Sequence, residues 1–286
     1  MSALLARTIR ECRAAVAAQR RRGRRVGLVP TMGALHEGHL SLVDRARGLA
    51  DAVVVSVFVN PTQFGPGEDF ERYPRDLERD TRLAGERGAA IIFAPAVDEM
   101  YPRPSVTAVT MKGITDDLEG ARRPGHFDGV LTVVAKLFHI VQPDVAVFGQ
   151  KDAQQATAVR RMVADLDFPL EIVVSATVRD PDGLALSSRN AFLSPEDRRE
   201  ALALRAALGR AETLVREGVE DAERLMEAMH EELSQHPAVE VDYVALVERD
   251  SFRPVRRLSE PSVAAVAARV GKTRLIDNVV LEPNVR

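Results

Sequence analysis

The sequence has almost no cysteine: Cys12 is the only one among 286 residues, so an intrachain disulfide cannot form. The start of the chain has no apolar segment of the kind that a secretory signal peptide carries. We therefore expect a reducing, cytoplasmic location. Long apolar runs are missing too. Those that exist, such as residues 52–59, are far too short to span a bilayer, and we expect no membrane partner.

A surplus of charge of either sign is also missing, because 39 Lys and Arg residues stand against 42 Asp and Glu residues. A dedicated nucleic-acid-binding protein would carry a strongly basic surface, so we expect no nucleic-acid partner. Five arginines between positions 20 and 25 could form a local polyanion site or the solvated end of a helix. The lack of a basic surplus elsewhere favours the solvated helix end.

The proportions that remain are those of an ordinary globular protein, with 45% apolar and 28% charged residues. The length exceeds that of most single compact domains. The pattern of the chain changes after Arg179, at a turn formed by residues 180–183. We therefore expect a catalytic domain at 1–177 and a smaller C-terminal domain at 178–286.

The first domain alternates short apolar runs with amphipathic stretches, and the run at Val53–Val59 is apolar on both faces, as in a buried parallel strand. The pattern predicts an α/β fold with a Rossmann-like, doubly wound parallel sheet. The predicted strands are Val26–Val29, Val53–Val59, Ala89–Phe93, Val145–Phe148 and Leu170–Val174, and the predicted helices are Gly38–Gly48, Pro74–Gly88, Gly129–Val141 and Ala153–Leu166.

The second domain is predicted to be α+β. Pro195 opens a helix rich in Ala, Leu, Arg and Glu, and a second helix follows near Val219–Ser234. Three later runs predict a small antiparallel sheet, at Val239–Val247, Val263–Val270 and Thr273–Leu281. In the first domain, the Pro- and Gly-rich connection at 94–128 predicts either a mobile lid or a surface excursion.

A ten-residue motif, Pro-Thr-Met-Gly-Ala-Leu-His-Glu-Gly-His at 30–39, follows the first predicted strand and opens the first helix. Ligands of open parallel sheets bind at the carboxyl ends of the strands, where a helix N-terminus offers N–H groups to phosphate. His36 and His39 are three residues apart, so both fall on one face of the first turn. Each histidine alone could be a cap or a core residue. A zinc site of the H-E-x-x-H type needs a spacing of four, which disfavours that alternative.

Three further motifs each follow a predicted strand or turn. Asn60-Pro61-Thr62-Gln63 could be an ordinary Asn-Pro turn, but the Gln63 amide can both donate and accept hydrogen bonds. In Gly-Gln-Lys-Asp-Ala-Gln-Gln at 149–155, Lys151 is either a phosphate ligand or a solvated surface lysine. Leu-Ser-Ser-Arg-Asn at 186–190 supplies two hydroxyls and a guanidinium that can stabilise pyrophosphate.

Together these four motifs resemble those of the pantothenate synthetase family, within the H-x-G-H nucleotidylyl-transferase superfamily. The resemblance extends from about Val26 to Asn190. It implies an enzyme that condenses pantoate with β-alanine, using ATP with Mg²⁺, and releases pantothenate, AMP and pyrophosphate through a pantoyl-adenylate intermediate. It also implies a homodimer, and a C-terminal domain that closes over the nucleotide.

The resemblance also implies roles for individual residues. His36, His39, Lys151 and Arg189 are the implied catalytic residues, with His39 as the proton donor. Asn60, Gln63 and Gln155 are the implied ligands of the acid substrate. The implied ATP ligands are Met32, Gly33, Ala34, Leu35, His36, Glu37, Gly38 and His39, then Gly149, Gln150, Lys151, Asp152 and Val178, and finally Leu186, Ser187, Ser188 and Arg189.

The chain departs from the family pattern at two positions. Gln150 replaces a frequent glutamate, which leaves the role of this side chain open, and Leu186 replaces a more usual methionine of similar volume. His126 lies in a family-like string but receives no role. No carboxylate cluster indicates an all-protein metal site, so no metal ligand is assigned and Mg²⁺ should arrive on the triphosphate.

Three alternatives remain beside this interpretation. A nucleotidylyl transferase would use a small phosphorylated substrate in place of the carboxylic acid. An aminoacyl-tRNA synthetase is disfavoured, because the C-terminal part has no evident basic surface for tRNA. A non-catalytic ATP-binding regulator would need affinity but not the full set of transition-state groups that His36, His39, Lys151 and Arg189 supply.

Overall fold

The computed structural model describes residues 3–283 of the chain. Its strands and helices follow one another in the order β1 (Leu4–Ala6), α1 (Ile9–Arg20), β2 (Val26–Thr31), α2 (Glu37–Arg47), β3 (Ala52–Val57), α3 (Leu77–Glu86), β4 (Ile91–Phe93), α4 (Val97–Met100), α5 (Glu119–Arg122), α6 (His126–Val141), β5 (Val145–Gly149), α7 (Ala153–Asp165), β6 (Glu171–Ser175), α8 (Pro195–Arg216), α9 (Ala222–Ser234), β7 (Val239–Glu248), β8 (Ser262–Val270) and β9 (Thr273–Leu281).

The chain forms two compact units of mutually contacting residues. The first unit takes in the chain up to Gly149 together with Ala158–Ala176, and the second takes in Gln150–Thr157 and the chain from Thr177 onward. The units are defined by which residues contact each other. The predicted domains, 1–177 and 178–286, remain a prediction.

The first unit is built on a six-stranded sheet with the order β1-β4-β3-β2-β5-β6, in which every pair is parallel. The predicted doubly wound parallel sheet is therefore confirmed. From β2 the chain proceeds to β3 on one side and later to β5 on the other, so the order reverses between β2 and β5. In open α/β sheets, this reversal point is where ligands bind, beyond the carboxyl ends of the strands.

The core of the first unit explains why these segments are strands. Val54 and Val55 of β3 are fully buried, as are Leu28 and Val29 of β2. Branched side chains pack well on a pleated surface, and full burial of each contributes about 1.5–3 kcal/mol to stability. Helices α2 and α3 contact each other, and α1 contacts α6, as expected for a sheet covered by crossover helices.

Several predicted boundaries are wrong. Helix α3 begins at Leu77 and not at Pro74, because the Asp76 side chain caps it by accepting a 3.0 Å hydrogen bond from the Arg79 N–H. Helix α6 begins at His126, three residues before the predicted start. Strand β1 was not predicted at all. It has only three residues, too few for a period-two pattern to be visible, and pairs with β4 at the sheet edge.

The connection at 94–128 is a surface excursion of the first unit. It contains the two short helices α4 and α5, and Met100 of α4 is fully buried. Between these helices the chain runs without regular structure, and Val106 is 99% exposed. The connection therefore runs over the surface of the first unit, and its motion as a lid stays a prediction.

The second unit contains helices α8 and α9 and the antiparallel sheet β7-β8-β9, which confirms the predicted α+β character. Its core combines alanines and leucines of α8, such as Leu204 and Leu208, with the inner face of β8. The predicted turn at 180–183 is present: the Gly183 N–H donates to the Asp180 carbonyl at 2.8 Å. Gly183 has a φ of +97°, a left-handed conformation that favours glycine.

Among residues 3–283, no helix is both long and apolar enough to cross a membrane.

Candidate active site

The two histidines of the first motif lie together at the start of α2. His36 is the N-cap of this helix, and its Nδ1 accepts a hydrogen bond of 3.2 Å from the Gly38 N–H. In the neutral ring this leaves the proton on Nε2. The ring centroids of His36 and His39 are 4.1 Å apart. The predicted placement of both imidazoles on one face is confirmed, and it puts two N–H donors at the positive end of a helix.

The loop between β2 and α2 is held by Asp80 of α3, a residue that sequence analysis missed. The Asp80 carboxylate is 1% exposed and accepts hydrogen bonds of 2.8 Å from the N–H groups of both Ala34 and Leu35. Burial raises the pKa of Asp80, while these two N–H groups act in the opposite direction. Gly33 has a φ of +86°, and a Cβ there would lie 2.9 Å from Asp80 Oδ2. Only glycine fits this turn.

These contacts limit how three of the predicted ATP ligands can act. The N–H groups of Ala34 and Leu35 already donate to a buried carboxylate. The Glu37 carboxylate is exposed and pairs with Arg87 at 2.5 Å. The Glu37 carboxylate would also repel a phosphate. Contacts of these residues with ATP therefore remain predictions, and the structure leaves His36 and His39 as the polar side chains that suit a triphosphate in this motif.

Asn60 and Gln63 lie in the turn after β3, where Pro61–Gln63 forms a short 3₁₀ helix. Asn60 Nδ2 donates to Gln63 Oε1 at 3.1 Å, and Gln63 Nε2 lies 3.2 Å from the Met32 sulfur. The structure therefore brings together three predicted site residues from the loops after β2 and β3. Asn60 is 1% exposed and Gln63 is 8% exposed, so both amides are shielded from bulk water.

His126, which has no role by resemblance, supports the same turn. Its Nδ1 lies 2.8 Å from the Gln63 carbonyl, and its Nε2 lies 3.0 Å from Arg123 Nη1. An arginine can only donate, so Nε2 accepts and Nδ1–H donates to the Gln63 carbonyl. Burial, followed by the charge of Arg123, lowers the pKa of His126 to about 4. Glu68 binds Arg123 through two hydrogen bonds, of 2.7 and 2.8 Å. At neutral pH the His126 imidazole is therefore uncharged.

In the second unit, the structure gives a partner to Gln150. Gln150 Nε2 donates to Asn278 Oδ1 at 3.0 Å, and Asn278 Nδ2 donates to the carbonyls of Gln150 and Lys151 at 3.0 and 2.8 Å. A glutamate at 150 could not donate to Asn278 Oδ1, so the departure from the family pattern fits its surroundings here. Asn278 was missed by sequence analysis. Lys151 is half-buried and Asp152 is exposed.

The motif at 186–190 follows a tight hairpin of the second unit. The Leu186 N–H donates to the Val178 carbonyl at 3.0 Å, which brings together two predicted ATP ligands. Ser187 caps the next 3₁₀ turn: its Oγ accepts from the Arg189 N–H at 3.2 Å. Asn190 Nδ2 donates to the Ala185 carbonyl at 3.0 Å. These bonds fix the backbone that carries the two serines and the guanidinium.

The predicted site residues are distributed over both units. The first unit holds residues 32–39, Asn60, Gln63 and Gly149. The second unit holds residues 150–152, Gln155, Val178 and residues 186–189. Within the part of the chain that the structure describes, no group of three or more His, Cys, Asp or Glu residues could hold a metal ion.

The chain matches the model of the family described as Pantoate-beta-alanine ligase over residues 4–280. It belongs to this family. The family, and with it the predicted enzyme class, an ATP-dependent ligase, is therefore confirmed. The alternative of a nucleotidylyl transferase acting on a small phosphorylated substrate is not favoured.

Relatives of this ligase family match almost the whole chain. The pantothenate synthetase of Moorella thermoacetica is 56% identical over 280 residues, covering 98% of this chain and 99% of that protein. The crystal structure of pantothenate synthetase from Thermus thermophilus has a TM-score of 0.93 at 49% identity, covering 98% of this chain and 100% of that one.

A third relative was solved with ligands. The pantoate-beta-alanine ligase of Francisella tularensis, complexed with beta-gamma ATP and beta-alanine, is 32% identical to this chain with a TM-score of 0.81. The comparison covers 97% of each chain. Over at least 97% of its length, this protein therefore shares its fold with ligases of the same family.

Proposed function

We propose that this protein condenses pantoate with β-alanine at the expense of ATP, through a pantoyl-adenylate intermediate. The observation that supports it most strongly is the pair of imidazoles, 4.1 Å apart, at the N-terminus of α2. This helix follows β2, one of the two strands at which the order of the sheet reverses. The products are pantothenate, AMP and pyrophosphate.

In the first step, a carboxylate oxygen of pantoate attacks the α-phosphorus of ATP. The bond from this phosphorus to the bridging oxygen breaks, and pyrophosphate leaves with the electron pair. A carboxylic acid with a pKa of about 4 is already ionised at neutral pH, so no general base is required. The step instead requires positive charge and N–H donors that stabilise the crowded phosphates.

His36 and His39 supply part of this stabilisation. Because His36 Nδ1 accepts from the Gly38 N–H, the neutral ring carries its proton on Nε2. His39 is the proposed proton donor to the phosphates. Lys151 and Arg189 add charge, and Ser187 and Ser188 add hydroxyl donors that can follow the charge onto pyrophosphate.

In the second step, the neutral amine of β-alanine attacks the acyl carbonyl of the adenylate. The carbon–oxygen bond to AMP breaks, AMP leaves with the electron pair, and the amine loses a proton. Gln63 and Gln155 are the proposed ligands of the pantoyl group, since an amide can match both hydroxyl and carboxylate oxygens.

Mg²⁺ is proposed to enter with the nucleotide. The donors in the motifs are imidazoles, a lysine, an arginine and hydroxyls, which suit phosphate oxygens better than a hard divalent cation. When bound, Mg²⁺ would neutralise charge on the triphosphate. In this assignment the chain's residues hold the phosphates, and the phosphates hold the metal.

We also propose a homodimer and a cytoplasmic location. The homodimer is what the resemblance to the family implies. The cytoplasmic location rests on the cysteine count, since Cys12 is the only cysteine of the sequence and an intrachain disulfide cannot form. Sedimentation of the wild type tests the dimer: a species of twice the mass of one chain is expected, and a monomer would contradict the proposal.

An assay of ATP consumption against a panel of carboxylic acids, with and without β-alanine, tests the proposed function. Pantoate with β-alanine should yield pantothenate, AMP and pyrophosphate in equal amounts. Formation of ADP and phosphate, or preference for another acid, would contradict the proposal. The identity of the products also separates this reaction from nucleotidyl transfer to a phosphorylated substrate.

A further inference from the structure

The Asn60 side chain uses its whole hydrogen-bonding capacity within the first unit. Its Oδ1 accepts from Tyr101 OH at 2.9 Å and from Thr62 Oγ1 at 3.0 Å. Its Nδ2 donates to the Gly129 carbonyl and to Gln63 Oε1, each at 3.1 Å. A primary amide has two acceptor and two donor positions, and all four are occupied. Asn60 therefore has nothing left to offer to a substrate.

The Gly129 carbonyl determines which way both amides point. A backbone carbonyl can only accept, so the Asn60 atom that faces it must be the NH₂ nitrogen. The same NH₂ group faces Gln63, so the nearer Gln63 atom must be the oxygen. The Gln63 NH₂ group then lies on the other side, 3.2 Å from the Met32 sulfur. A thioether is a weak acceptor that a ligand oxygen can displace.

The surroundings keep this arrangement rigid. A Cβ at Gly129 would lie 2.3 Å from the Thr62 carbonyl oxygen, so glycine is what allows α6 to approach the turn. Tyr101 packs against Phe58 at a ring separation of 6.3 Å. Burial raises the pKa of Tyr101, so its hydroxyl keeps the proton that it donates to Asn60.

We propose that the Gly129 carbonyl and Asn60 orient Gln63 so that its NH₂ group, and not its carbonyl oxygen, faces the acid substrate. Asn60, a substrate ligand by resemblance, is then a positioning residue that acts through Gln63. The Gln63 position selects acceptor oxygens, such as those of a carboxylate. This inference rests on the proposed function, because it assumes that the acid binds beside Gln63.

Replacing Gln63 by glutamate is the sharpest test, because the two side chains have the same shape. In Gln63→Glu one carboxylate oxygen still accepts from Asn60 Nδ2, whereas the other replaces the NH₂ group. We expect kcat/KM for pantoate to fall at least ~10²-fold, the loss expected for a charged hydrogen bond turned repulsive, while KM for ATP changes less than ~3-fold. If Gln63 instead presented its oxygen to a substrate hydroxyl, the glutamate would keep that acceptor and activity would stay near wild type.

The role of Asn60 is tested by its coupling to Gln63. In Asn60→Asp the donor to Gln63 Oε1 is lost, so Gln63 turns over and presents its oxygen. In the wild-type background, Asn60→Asp should again lower kcat/KM for pantoate by ~10²-fold. In a Gln63→Ala background, the same substitution should lower it by less than ~3-fold. Equal losses in both backgrounds would make Asn60 a purely structural residue and overturn the proposal.

Tyr101→Phe is the matched mild variant. It removes one of two donors to Asn60 Oδ1 while the Gly129 carbonyl still anchors the amide, so kcat/KM for pantoate should fall less than ~5-fold.

Pantoate binding is measured by calorimetry in addition to the kinetics. If the wild type binds pantoate but makes no pantothenate, the proposed function is contradicted and the orientation of Gln63 is not. The pantoate affinities of Gln63→Glu and Asn60→Asp then decide the orientation of the Gln63 amide. Wild-type affinity in both variants would overturn it.

Discussion

The two units hold their predicted site residues in different ways. In the first unit, Gln63 and the loop at 33–35 are held by polar side chains: Asn60 and Asp80, which are buried, and His126, which is half-buried. In the second unit, Lys151 and Ser187 are half-buried; Lys151 lies on a short 3₁₀ turn and Ser187 caps another, and hydrogen bonds hold the backbone of both. An amide that recognises an acid through hydrogen bonds needs a fixed orientation. A lysine or arginine that binds a phosphate needs mainly its charge and a long side chain.

The largest change in kcat/KM should come from altering the substrate and not from altering the protein. If fixed amides at Gln63 and Gln155 bind pantoate oxygens, an analogue without the 2-hydroxyl should have a kcat/KM lower by up to ~10⁴–10⁵-fold, because buried partners are left unpaired. Gln155→Ala should weaken pantoate more than the analogue and so reduce this preference. Equal losses for both acids would return Gln155 to a structural role.

The next largest effect should come from removing a side chain that stabilises negative charge on the phosphates. Lys151→Ala or His39→Ala should lower the rate of adenylation by roughly 10²–10³-fold, the usual cost of removing one preorganised stabilising group. Folding should be largely unchanged. Lys272→Ala is the control, since Lys272 is an exposed lysine of the same unit. Rapid-quench measurement of AMP formation in each variant decides whether Lys151 is more than a surface lysine.

Asp80 tests whether buried polar contacts hold the first unit's loop. Asp80→Ala leaves the Ala34 and Leu35 N–H groups without their acceptor and should lower the free energy of unfolding by ~1–3 kcal/mol. Asp44→Ala is the control, because Asp44 forms an exposed pair with Arg87 and its loss should lower the free energy of unfolding by less than ~1 kcal/mol. Denaturant titration compares the two. A smaller loss for Asp80→Ala than for Asp44→Ala would contradict the assignment.

The smallest effect is the pH dependence from His126. Its folded-state pKa of about 4 lies below the ordinary value of 6.5, so between these values the unfolded chain binds a proton that the folded chain does not. Stability should therefore fall as pH falls from 7 to 5, by about 1–2 kcal/mol from this group. His126→Gln should flatten the dependence, whereas His230→Gln, at an exposed position, should not. Unchanged slopes in His126→Gln would show that the ring is not held neutral.

Much of the fold follows from the sequence, because it depends on local periodicity. The apolar run at β3 and the spacing of His36 and His39 predict a buried strand and a shared helical face, and both are observed. The boundary at α3 was wrong because a proline and a capping aspartate lie two residues apart and only the structure shows which of them acts.

The supporting residues of the site could not be predicted in this way. Asp80 stands between Arg79 and Thr81 in a run of polar residues, and its burial depends on a loop 46 residues earlier in the chain. His126 contacts a carbonyl 63 residues away, and Asn278 contacts Gln150 across 128 residues. A polar residue with such a distant partner has no local signal that separates it from a solvated one.

The central claim, an acyl-adenylate formed before the amine reacts, is tested most directly by isotope exchange between pyrophosphate and ATP. With pantoate present and β-alanine absent, labelled pyrophosphate should enter ATP, because adenylation is reversible and complete without the amine. β-Alanine alone should support no exchange, and His39→Ala should slow the exchange seen with pantoate. A strict requirement for β-alanine in the exchange would contradict the account.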